Sequence, residues 1–142
     1  MLVQRSILIA EPESALRATW QSALSEMGFR VSVSVSGTAA LEIAMHTEIS
    51  LLITELYLKT GDERCLVRAT RRQPALRRVK ILAVSNHSTD DDRAWALTSG
   101  ADGYLIKPVR LGRMLQVTAR LASSRQQSRA KFRQTNGLET AE

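Results

Sequence analysis

Apolar positions along the chain alternate between short β-type runs and stretches with three- and four-residue spacing, as in a parallel sheet covered on both faces by helices. Ser6 to Ala10 (SILIA) is a buried-strand run. Leu16, Trp20, Ala23, Leu24 and Met27 recur at helical spacing up to Gly28, which predicts an amphipathic helix with a glycine cap. Val31, Val33 and Val35 alternate with Ser32, Ser34 and Ser36, so the second strand has a wetter face and is expected at an edge. Thr38 is the expected N-cap of a helix over 39–45, and Ser50 to Thr54 (SLLIT) reads as a central strand.

The same punctuation continues. A loop through Gly61 leads to a helix over 63–72 stopped by Pro74, and Val79 to Val84 is the fourth strand. Thr89 caps a helix with Asp90, Asp91 and Asp92 in its first turn, and Gly100 ends it. Tyr104 to Ile106 is a short fifth strand running into Lys107 and Pro108. The last helix covers 111–122, with Leu111, Met114, Leu115, Thr118 and Leu121 inward. The fold class is therefore α/β, a doubly wound five-stranded parallel sheet in order 2-1-3-4-5. Its topological switch lies between strands one and three, whose carboxyl ends carry Glu11 and Glu55.

Composition narrows the picture. The 142 residues suit one domain over 1–122 and a basic, polar tail over 123–142, poor in apolar residues and expected to be flexible. No apolar run approaches a membrane span, and the first residues lack the regions of a secretory signal, so a cytoplasmic protein is expected. One cysteine, Cys65, excludes an internal disulfide, and two histidines, His46 and His87, make a poor metal set. The net charge of +6 concentrates in Arg64, Arg68, Arg71, Arg72, Arg77, Arg78 and Lys80, with no acid between Glu63 and Asp90.

Four segments in order, ILIAEPE at 7–13, LLITELYLKTGDE at 51–63, ILAVSNHS at 81–88 and SGADGYLIKPV at 99–109, resemble the receiver domains of bacterial response regulators. The resemblance implies a flavodoxin-like fold, a partner such as a histidine kinase or an output protein, and a phosphorylation pocket at the strand ends. In that family an acidic pair after strand one holds Mg²⁺, and an aspartate ending strand three accepts phosphate. The resemblance assigns Ser85 to the hydroxyl position, Lys107 to the lysine and Tyr104 to the aromatic position, while Glu11 and Pro12 stand at the acidic pair and Glu55 at the acceptor.

Pro12 has no side-chain ligand, and Glu55 carries its carboxylate one methylene farther out than aspartate would. The pocket therefore reads as degenerate, with no cofactor expected beyond weak Mg²⁺ binding at Glu11 and Glu55. A Glu55–Lys107 ion pair is preferred to phosphate mimicry by Glu55. Hydrolase chemistry at Ser85 is not expected, since no histidine is placed to activate it.

Trp95 has polar helical neighbours, so it is expected to be partly exposed and, with Tyr104, to form a switch or partner surface. A homodimer through the side of helices four and five would use the same face. Arg64, Arg68, Arg71 and Arg72 are expected on one face of helix three, extended by Arg77 and Arg78, as solvated charge rather than a nucleic-acid site. The leading expectation is a pseudo-receiver that signals by phosphorylation-independent protein contact and is not an enzyme. The rivals are a phosphoacceptor receiver using Glu55 and a nucleic-acid-binding regulator using the basic patch and tail.

Overall fold

The computed structural model describes residues 4–123 and 139–141. In chain order the elements are β1 (Ser6–Ala10), α1 (Ser14–Glu26), β2 (Arg30–Ser34), α2 (Gly37–His46), β3 (Leu51–Thr54), α3 (Leu66–Arg71), a 3₁₀ turn (Pro74–Leu76), β4 (Lys80–Ser85), α4 (Asp90–Ser99), β5 (Gly103–Ile106), α5 (Leu111–Ser123) and β6 (Glu139–Ala141). The five expected strands are parallel in order 2-1-3-4-5, with β2 at one edge.

At the other edge β6 pairs in parallel with β5, from Gly103 opposite Glu139 to Leu105 opposite Ala141. Composition predicts a flexible tail from 123 onward, yet Ser123 closes α5 and residues 139–141 take up the free edge of β5. The rest of that tail lies outside the described residues.

Strand alternation divides the core in two. Ile7, Ile9, Leu51, Ile53, Leu82, Val84 and Leu105 pack against Trp20 and Leu24 of α1 and Met114, Val117 and Leu121 of α5. Leu8, Ala10, Leu52, Ile81, Ala83 and Tyr104 face the opposite layer with Ala40, Ala44, Leu66, Val67 and Ala96. Gly28 and Gly100 take the left-handed conformation at φ 100° and 117°, ending α1 and α4 as the pattern predicts. Thr89 and Asp92 form a capping box on α4.

Four local expectations are corrected. The N-cap of α2 is Ser36, whose Oγ accepts from Ala39 N at 3.1 Å, not Thr38. Leu111, expected inward, is exposed as the first residue of α5, and Met27 and Val35, counted in the periodic runs of α1 and β2, are exposed just past the ends of those elements. The helix expected over 63–72 is only Leu66–Arg71, because Thr60 and Glu63 bond each other through their backbones and hold the chain out of helix. Lys80, expected in the surface patch, is buried as the first residue of β4.

Candidate functional site

Backbone ladders run one residue past the strands and fix the site. Glu11 N donates to Ser34 O at 3.1 Å, Glu55 N to Ala10 O at 3.2 Å, and Lys107 N to Ser85 O at 2.9 Å. Three side chains from three strand ends thus stand at the carboxyl edge of the sheet. Lys107 Nζ donates to Glu11 Oε1 and to Glu55 Oε1, both at 2.9 Å. Glu11 is almost wholly buried, and only small parts of Lys107 and Glu55 reach solvent.

The remaining carboxylate oxygens are also engaged. Glu11 Oε2 accepts from Glu13 N and Glu55 Oε2 from Leu56 N, each at 3.0 Å. Arg17 Nη1 donates to the carbonyls of Glu11 at 2.8 Å and Pro12 at 3.2 Å. Burial works to lower the affinity of Lys107 for its proton, but hydrogen bonds and charge from Glu55 and Glu11 outweigh it and raise its pKa above the ordinary 10.5.

This donor set does not fit a divalent cation. Mg²⁺ demands near-octahedral oxygen ligands at short distance. Here every oxygen of the two carboxylates already accepts a hydrogen bond, an ammonium stands between them, and Pro12 brings no side-chain oxygen. Among the described residues no group of three His, Cys, Asp or Glu side chains is placed to hold a metal ion.

The structure brings Glu11, Glu55 and Lys107 together and leaves Ser85 beside them. The Ser85 hydroxyl, wholly buried, accepts from His87 N at 3.2 Å. Tyr104 is fully buried and its hydroxyl donates to the His87 carbonyl, so it supplies no partner surface. Both faces of β5 are covered, with Tyr104 in one core layer and Leu105 in the other, so the ring is in the core whichever face it takes. Trp95 is half-buried, as expected, with its ring 5.3 Å from that of Tyr57 and the Arg64 guanidinium 5.5 Å above it.

The basic patch also changes. Arg64 precedes α3 rather than lying on it, and Arg71 is turned inward onto Asp102 at 2.9 Å. Arg68, Arg72, Arg77 and Arg78 remain exposed.

Sequence reasoning missed Tyr57, which it placed in a featureless loop. Its hydroxyl donates to Asp92 Oδ1 at 2.5 Å and its ring meets His87 edge-on at 4.6 Å, tying the loop after β3 to α4. Burial, then the Asp92 hydrogen bond and charge, push the Tyr57 phenol up to about 12. The same bond, with those from Thr89, lowers the Asp92 pKa.

Comparison with known proteins agrees with this architecture. The family model of the response regulator receiver domain matches residues 7–119. The KDP operon transcriptional regulatory protein KdpE of Escherichia coli K12 is 34% identical over 120 residues, covering 84% of this chain and 52% of KdpE. The TorCAD operon transcriptional regulatory protein TorR of the same strain is 33% identical over 105 residues, covering 74% of this chain and 44% of TorR. The chain thus spans about half the length of the curated relatives it matches. Among solved structures, the chemotaxis response regulator CheY4 of Vibrio cholerae superposes with a TM-score of 0.76 at 22% identity, over 84% of this chain and 99% of CheY4.

Proposed function

The chain belongs to the response regulator receiver family, and we propose that it serves signal transduction there through protein contact, without taking phosphate. The observation that carries this reading is the Glu11–Lys107–Glu55 triad. A phosphoryl acceptor needs a free oxygen aligned for in-line attack and a cation to neutralise the transferred group. Glu55 has its oxygens committed to Lys107 and Leu56, and the donor set around Glu11 and Pro12 does not suit Mg²⁺. One conformation of the strand ends is then stabilised whatever the state of a kinase. The names of the relatives suggest that the contact feeds transcriptional control, with another signalling protein as partner.

Mass spectrometry after incubation with acetyl phosphate and Mg²⁺ tests the reading. The wild type should gain no phosphoryl adduct, whereas the double variant P12D/E55D, which supplies the missing carboxylate and shortens the acceptor, should gain one. An adduct on the wild type that disappears in Glu55→Gln would favour the phosphoacceptor reading instead.

A further inference from the structure

The groove between α3 and α4 lies away from the strand-end triad and has a chemistry of its own. It encloses about 250 Å³ and is lined by Arg68, Arg71, Arg72, Trp95, Thr98 and Ser99. Its arginines divide into two kinds. Arg71 is fixed from within, donating through Nε to Gly100 O at 3.0 Å, through Nη1 to Leu76 O at 3.2 Å and through Nη2 to Asp102 at 2.9 Å. Arg64, Arg68 and Arg72 are exposed. Glu63 is shared by Arg72 at 2.9 Å and Arg68 at 3.9 Å, while Arg64 lies over the Trp95 ring.

Two exposed guanidiniums of the lining beside one carboxylate leave this groove positive, and Trp95, which packs against Tyr57 and carries the Arg64 guanidinium over its ring, adds an aromatic wall. We propose that the groove docks an acidic segment of a partner protein, whose carboxylates pair with Arg68 and Arg72 while an apolar side chain packs against the part of Trp95 that lines the groove. This deepens the contact-based reading above and rests on it. Guanidinium and carboxylate match as planar, paired donors and acceptors, and tryptophan with arginine is the combination that dominates binding energy at protein interfaces.

A nucleic acid fits less well. To read bases it would need a recognition element, and α3 at six residues is too short to act as a reading helix. Glu63 meets Arg72 through Nη1 and Arg68 through Nε, so an incoming carboxylate can take other N–H donors of the same guanidiniums while Glu63 stays in place.

The test is amide and indole NMR titration of the whole chain with a peptide of aspartates and glutamates around one leucine, with its lysine counterpart, and with duplex and single-stranded DNA. The acidic peptide should give saturable shifts at Arg68, Arg72 and the Trp95 indole, and the lysine peptide none. Affinity should fall about tenfold in Arg72→Gln and in Arg68→Gln, both exposed and outside the core, and should weaken with added salt. Absence of saturable shifts, unchanged affinity in both variants, or stronger binding of DNA at the same residues would overturn the proposal. Mass analysis of the same sample after acetyl phosphate separates the two readings. Peptide binding on a chain that also gains a phosphoryl adduct defeats the pocket reading alone, and loss of peptide binding without an adduct defeats the groove alone.

Discussion

Glu11 and Glu55 meet across a single ammonium, each with one carboxylate oxygen 2.9 Å from Lys107 Nζ. Two acids against one base leave a negative charge at the strand ends, and Glu11 N at Ser34 and Glu55 N at Ala10 hold both acids through the backbone. The arrangement needs Lys107 charged. It also makes the ammonium, rather than an external ion, the counter-charge of the site.

Lys107→Met should therefore cost about 2–4 kcal/mol in urea denaturation at neutral pH, since it leaves two facing carboxylates, one of them buried, without a cation. The folded chain holds the Lys107 proton more tightly than the unfolded chain, which releases it near 10.5. The contribution of Lys107 is then complete below pH 10.5 and is lost as pH rises through the higher folded value. Denaturation curves of the two proteins should run parallel from neutral pH up to that point and converge above it.

Both tyrosines should resist ionisation. Tyr57 is pushed up to about 12, chiefly by burial and then by Asp92, and Tyr104 is also raised, chiefly by burial. The native protein should develop little phenolate absorbance near pH 10.0, where the urea-unfolded chain titrates. Because the folded state keeps these protons, stability should decline from pH 10.0 upward until the folded values are passed. Tyr57→Phe removes the bond to Asp92 and should cost about 1 kcal/mol.

Gly37 is required by a close approach between α2 and the loop that follows the site. A Cβ there would lie 2.0 Å from Lys59 O and 2.3 Å from Thr60 Oγ1. Gly37→Ala should destabilise the fold by about 1–3 kcal/mol, and amide shifts should concentrate at residues 59–61. Shifts confined to α2 would mean that the loop is not held by this contact.

The fold was legible because the local signals agreed with the global one: SILIA, SLLIT and the run at 79–84 are too continuous for amphipathic helices, and Gly28 and Gly100 end helices as glycine caps do. Strand topology then placed Glu11 and Glu55 together without their contacts being known. Lys107 joined them through the resemblance alone. What could not be read were directions. Tyr104 looked like surface from its nearness to Trp95, yet both faces of β5 are covered, with Tyr104 in one core layer and Leu105 in the other. Arg64 to Arg72 looked like one stripe because the spacing assumed a helix from residue 63, and a start at Leu66 breaks that stripe while Asp102, distant in sequence, draws Arg71 inward. Tyr57 carried no local signal, since its partners Asp92 and His87 lie on the far side of β4 in sequence.

The central claim, that the Lys107 triad replaces phosphoryl chemistry, is tested most directly by amide NMR of the wild-type chain on addition of Mg²⁺ with beryllofluoride, which mimics an acyl phosphate. The triad predicts unchanged resonances at Glu55, Ser85 and Lys107. Saturable, Mg²⁺-dependent shifts at these three residues would contradict it.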